Sequence, residues 1–174
     1  MSLLLIQAAA TGLFTPSLAE SQMVGQMRFD TIVAPSLKDN LVGDSNRRAV
    51  SIYLPPTYEI ERARRYPVVY LLHGVDADNL AFIKGAYEKL NIRLAMDSLI
   101  ATGVVKEMIV VTPNARNVYD GSFYANSAAT GNWEDFIVKD FVAYMDSHYR
   151  TIADRSGRGI AGHSMGGYGA LRLG

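Results

Sequence analysis

The sequence predicts an α/β fold built on an open, mostly parallel sheet. Two segments, "VVYLL" from Val68 to Leu72 and "EMIVVTPN" from Glu107 to Asn114, hold continuous apolar runs, as expected of strands covered on both faces. Each is followed by a stretch in which the apolar residues recur at helical spacing. A third strand, Arg158 to Gly162, comes last. Strand, helix, strand, helix, strand implies right-handed crossovers, with the working site at the carboxyl ends of the strands.

The elements follow in chain order. From Met27 to Pro35, the residues Phe29, Ile32 and Val33 mark a first strand. Arg48 to Leu54 alternates, with Val50, Ile52 and Leu54 on one face and Ala49, Ser51 and Tyr53 on the other, which predicts a half-buried strand ended by Pro55-Pro56. The turn-rich "SLKDNLVGDSN" between them predicts a hairpin. Ile92, Ala95, Met96, Leu99 and Ile100 share a helical face, and Gly103 supplies the stop. A long loop, "ARNVYDGSFYANSAATG", precedes a helix over "NWEDFIVKDFVAYMDSHY". Asn132 is its expected N-cap, and Trp133, Ile137, Phe141 and Tyr144 its core-facing side.

Composition narrows the function. The chain has 174 residues, 49% of them hydrophobic and 20% charged, which suits one globular domain. Seventeen basic residues balance seventeen acidic ones, so neither nucleic acid nor an anionic membrane is an expected partner. The absence of cysteine removes disulfides, thiolate metal sites and a cysteine nucleophile. Histidines at 73, 148 and 163 form no H-E-x-x-H pattern, so no metal and no cofactor is expected.

The apolar stretch from Leu3 to Phe14 leads to Ser17-Leu18-Ala19, a small-x-small pattern. Residues 1–19 are therefore expected to be a signal peptide, although no Lys or Arg occurs before Arg28. The expected location is secreted or periplasmic, with cytoplasmic as the alternative, and the stretch is too short to span a bilayer. The folded domain is expected over residues 27–174.

The chemistry concentrates at Gly162-His163-Ser164-Met165-Gly166, which matches G-x-S-x-G between a strand and a helix start. The glycines are needed because positions two before and two after the serine crowd one another in so tight a turn. Ser164 is the expected nucleophile, exposed above the sheet. The N–H groups of Met165 and Val75 are the expected oxyanion donors, Gly74 letting the backbone pass close to a substrate carbonyl. His73 is expected to pack at its strand end without transferring protons. Tyr119, Phe123 and Tyr124 are expected to wall the acyl or alcohol pocket, since a loop of this length inside a compact domain is usually functional.

"RYPVVYLLHG", "NWEDF" and "AGHSMGGYGAL" together resemble the esterase family of α/β-hydrolases. That family includes esterase D (S-formylglutathione hydrolase), feruloyl and acetyl-xylan esterases, siderophore esterases and mycolyltransferases. The resemblance runs from about Phe29 to the last residue. It implies a serine carboxylesterase of the feruloyl or acyl-carbohydrate type, acting through an acyl-enzyme on Ser164. An acyltransferase of the same fold and a non-catalytic binding module are the alternatives.

The family places its acid and its histidine after the nucleophile, whereas here His73, His148, Asp135, Asp140 and Asp146 all precede it. The triad acid and histidine are therefore expected outside this chain, which is read as the N-terminal part of an α/β-hydrolase domain, truncated just after the elbow. Such a fragment is expected to be inactive and prone to self-association through its uncovered sheet edge.

Overall fold

A computed structural model describes residues 23–174 of the chain; the expected signal peptide lies outside the described residues. The first strands are β1 (Gln26–Val33), β2 (Arg47–Leu54), β3 (Val68–Leu72) and β4 (Ile109–Pro113). Two residue pairs, β5 (Asn126–Ser127) and β6 (Gly131–Asn132), form a minimal hairpin, and β7 (Arg158–Gly162) closes the series. The main sheet has the order β1-β2-β4-β3-β7. β1 and β2 pair antiparallel along their whole length, from Gln26 opposite Leu54 to Val33 opposite Arg47. β2 is antiparallel to β4, while β4, β3 and β7 run parallel. The expected hairpin and parallel core are both present, joined into one mixed sheet.

Burial corrects the expectations for β2 and β3 and sets the orientation of β1. In β1 only Ile32 is buried; Phe29 and Val33 are 59% and 55% exposed, because β1 is an edge strand with one covered face. β2 is buried on both faces rather than one. Its second-face polar atoms are satisfied by the covering segments: Asn79 Nδ2 donates to Ser51 Oγ at 2.9 Å, and Tyr53 Oη donates to Asp97 Oδ1 at 2.8 Å. Burial, with the Asp97 carboxylate beside it, pushes the Tyr53 phenol pKa well up. Partnered polar groups are no obstacle to burial, so polar–apolar alternation understated the cover. In β3, Val69 and Leu71 are only half-buried, while Val68, Tyr70 and Leu72 face the core.

Helix α1 (Ile92–Ala101) is capped by Asn91, whose Oδ1 accepts from the Leu94 N–H at 3.2 Å, and Gly103 ends it at φ 72°. The second helical stretch is continuous but irregular. α2 (Trp133–Asp135) runs into a π-helical turn (Phe136–Phe141) and then α3 (Val142–His148). Trp133, Phe136, Ile137, Phe141 and Met145 are buried against the sheet. Tyr144, expected in the core, is half-buried, and its hydroxyl reaches Asp30 Oδ2 at 2.9 Å. Asn132 occupies the N-cap position without a capping bond. Asn126 Oδ1 instead accepts from the Asp135 N–H at 3.1 Å.

Helix α4 (Met165–Leu173) packs back on β3 and β7. Among the described residues β7 pairs with β3 alone. A cavity of about 300 Å³ lies beside its open edge, lined in part by Tyr70, Ile137, Val138, Val142 and Ile160. Among the described residues no helix is long and apolar enough to cross a membrane.

Candidate active site

The parallel strands β3 and β7 end side by side, with Leu72 opposite Gly162. Chain reversal after β7 is forced into very little space. A Cβ on Gly162 would overlap the Gly166 carbonyl, and a Cβ on Gly166 would overlap the Leu72 carbonyl oxygen. Ser164, between them, stands at φ 52° and ψ −116°. That left-handed conformation costs a non-glycine residue about 1–3 kcal/mol, held by the surrounding structure. The side chain is exposed and, although it occupies the N-cap position of α4, makes no capping hydrogen bond. Its hydroxyl is thus uncommitted.

Beyond β3, the chain passes directly over this serine. A Cβ on Gly74 would come within 3.3 Å of both Ser164 Cβ and Tyr87 Oη. Successive backbone groups there are bonded one by one. Tyr124 Oη donates to the His73 carbonyl at 2.8 Å, the Gly74 N–H donates to Tyr87 Oη at 2.7 Å, and the Asp76 N–H donates to the Asp120 carbonyl at 2.8 Å. Among the described residues no group accepts from the N–H of Val75 or of Met165. Both residues border Gly121, where a Cβ would meet Met165 Sδ at 2.7 Å and Val75 Cγ2 at 3.2 Å. Ser164, Val75 and Met165, singled out in sequence, are thereby brought to one place.

His73 is fully buried. The Ala115 N–H donates to its Nε2 at 2.9 Å, which leaves the proton on Nδ1 to be donated to the Gly74 carbonyl at 2.8 Å. Burial pushes its pKa below the ordinary histidine value, against the smaller raising effect of the Gly74 carbonyl. An unfolded chain's histidine titrates near about 6.5. Below that pH the unfolded state binds a proton that folded His73 refuses, so stability present at neutral pH is lost as the pH falls towards the folded pKa. The melting temperature should therefore drop more between about pH 7 and about pH 5 for the native chain than for His73→Gln. Equal drops in the two would show that His73 titrates alike in both states.

His148 and the candidate aspartates are engaged elsewhere. His148 ends α3, with its ring stacked on Tyr144 at 4.1 Å and its Nδ1 3.0 Å from the Tyr144 carbonyl. His163 is exposed and lies against the Tyr87 ring at 4.2 Å. Asp135 pairs with Lys139 at 2.8 Å, Asp140 accepts from the Ser36 N–H at 2.9 Å, and Asp146 accepts from Thr151 and Arg158. Among the described residues no histidine ring is hydrogen-bonded to Ser164.

The long loop divides by exposure. Tyr119 and Phe123 are 69% and 52% exposed; the Phe123 N–H approaches Met165 Sδ at 3.3 Å, and its ring sits edge-on to Tyr168 at 6.3 Å. Tyr124, expected in the pocket wall, is instead fully buried, its hydroxyl spent on the His73 carbonyl. Three contributors were not foreseen. Asn117 Oδ1 accepts from the N–H groups of Tyr119 and Gly121, Arg116 bridges Asp76 and Asp120, and Tyr87 meets Gly74. Tyr87 falls in an aperiodic, turn-rich segment, where sequence spacing carries no signal.

A sharp strand-to-helix turn presenting a strained serine at the carboxyl end of a parallel sheet defines the α/β-hydrolase class of fold. Comparison with known proteins narrows this further. Residues 45–174 match the family model described as "Putative esterase", and the chain belongs to that family. It is 34% identical over 129 residues to an esterase of Mycobacterium tuberculosis, covering 71% of this chain and 25% of the relative. It is 31% identical over 129 residues to an endo-1,4-beta-xylanase/feruloyl esterase of Xylanibacter ruminicola, covering 69% and 16%. Among solved structures, a ferulic acid esterase superposes with TM-score 0.74 at 32% identity, covering 88% of this chain and 54% of the other. An S-formylglutathione hydrolase from Agrobacterium tumefaciens shares the fold, with TM-score 0.63 at 22% identity and coverage of 87% and 53%. The chain thus spans a quarter or less of these curated relatives and about half of these solved chains.

Proposed function

We propose that the chain carries the nucleophile and oxyanion half of a carboxylic-ester hydrolase that works through an acyl-enzyme on Ser164. The observation that carries this is the uncommitted Ser164 hydroxyl beside two uncommitted N–H groups, Val75 and Met165. Ser164 Oγ loses its proton to a general base and attacks the ester carbonyl. The resulting oxyanion accepts hydrogen bonds from Val75 and Met165, and the start of α4 adds its dipole. Collapse expels the alcohol, which takes the proton from the base, and water then releases the acid and frees Ser164. Because His73 and His148 are hydrogen-bonded elsewhere and the His163 ring packs on Tyr87 with no bond to Ser164, the base and its acid are read as supplied from outside these 174 residues.

An aromatic acyl group attached to a carbohydrate is the favoured substrate class. The exposed Phe123–Tyr168 pair beside Met165 offers an aromatic ring an edge to lie against. The likeness to a ferulic acid esterase at 32% identity agrees with this.

A fluorophosphonate probe tests the nucleophile. Slow covalent labelling of the native chain, absent in Ser164→Ala, is the expected result. Labelling that survives Ser164→Ala would remove Ser164 from the role.

A further inference from the structure

Tyr87 is tied to Gly74 by a 2.7 Å hydrogen bond, and its ring rests on His163, the neighbour of Ser164, at 4.2 Å. The place of that bond in the backbone gives it a consequence. A trans peptide is planar, with its C=O and N–H pointing in opposite directions. The His73–Gly74 peptide is held at both ends: its C=O accepts from Tyr124 Oη and its N–H donates to Tyr87 Oη. The next peptide, Gly74–Val75, is held at its C=O by His73 Nδ1–H. Its other end is the Val75 N–H, which has no partner among the described residues and must point away from the His73 ring. The following amide, Asp76, is again bonded, to the Asp120 carbonyl. One free donor is thus left in a run of pinned peptides.

We infer that Tyr87 is a positioning residue, whose hydroxyl fixes the Gly74 backbone so that the Val75 N–H is aimed at the developing oxyanion. This rests on the reading of Val75 as an oxyanion donor. Glycine at position 74 has no side chain to restrict its dihedrals, so the two flanking peptides depend on Tyr124, Tyr87 and His73 to keep their orientation. The phenol oxygen is suited to the task because it accepts from an N–H while its ring is braced by Phe82 at 4.8 Å and His163 at 4.2 Å.

The test uses Tyr87→Phe, which keeps the braced ring and deletes only the oxygen. Two readouts are taken on the 174-residue chain: amide hydrogen exchange at Gly74, and the Ser164-dependent part of p-nitrophenyl acetate hydrolysis. Exchange at the Gly74 amide, which loses its acceptor, should quicken about tenfold. The hydrolytic kcat should fall about tenfold, with KM changed by less than about twofold, since a misaimed donor weakens the transition state more than substrate binding. Thermal unfolding should be nearly unchanged, which separates aiming from general loosening. Unaltered exchange and unaltered kcat would overturn the inference. Quickened exchange at Gly74 with kcat unmoved would overturn it as well. Failure of the parent reading looks different: Ser164→Ala would hydrolyse the ester as fast as the native chain, whatever happens at Tyr87.

Discussion

Residues 1–174 alone should hydrolyse p-nitrophenyl acetate only at a trace rate, and a longer chain supplying an aspartate and a histidine to Ser164 should be faster by about 10⁴- to 10⁶-fold. The uncommitted amides of Val75 and Met165 remain in the shorter chain. An oxyanion hole without its base retains roughly 10³-fold over water, which is why a residual rate is expected rather than none. Ser164→Ala should abolish activity of the longer chain and the serine-dependent residue of the shorter one. Steady-state kinetics on the four proteins decides the matter. Full turnover by the 174-residue chain, lost on replacing His148 or His73, would place the base before the nucleophile and refute the proposed division of labour.

The largest loss of stability should come from Gly166→Ala. The added methyl would be driven into the Leu72 carbonyl oxygen, with the His73 carbonyl oxygen 2.9 Å away on the same side. Both obstacles are backbone at the end of β3, which is held between β4 and β7 and cannot withdraw. Overpacking of this kind costs about 3 kcal/mol or more, and the variant should be largely unfolded or melt far below the native chain. Gly167→Ala is the control: its methyl meets nothing closer than the Gly162 carbonyl oxygen at 3.5 Å. In a helix interior the exchange gains about 0.5–1 kcal/mol. Urea titrations of the two variants should therefore diverge in sign. Equal stabilities would mean that the turn opens to admit the methyl.

Those two glycines also show how much was legible beforehand. G-x-S-x-G carries its own steric logic, so the strained serine and its neighbours could be placed from five letters. The buried strands were equally plain, because continuous apolar runs have few other uses in a chain of this size. Legibility failed where polar groups find distant partners. Ser51 and Tyr53 read as a solvent face until Asn79 and Asp97 supply their hydrogen bonds. Tyr124 read as pocket wall until the His73 carbonyl claims its hydroxyl. Tyr87 is the extreme case, since nothing local ties position 87 to position 74; only the folded path of the intervening turns does.

The π turn in the second helical stretch has a consequence for chain length. Trp133, Ile137, Phe141 and Met145, all buried, are spaced four residues apart each time. Four residues of α-helix sweep about 400°, so each step overshoots by about 40° and three steps would carry the stripe roughly 120° off the sheet. The wider π turn takes up that surplus. Remove one residue, Val138 for instance, and the spacing becomes four, three, four, which an unbroken α-helix satisfies without help. The segment is in effect a straight helix that has absorbed a single-residue insertion. Val138, 39% exposed within that turn, lines the cavity beside the open edge of β7, so part of the wider turn faces the side where the sheet leaves room.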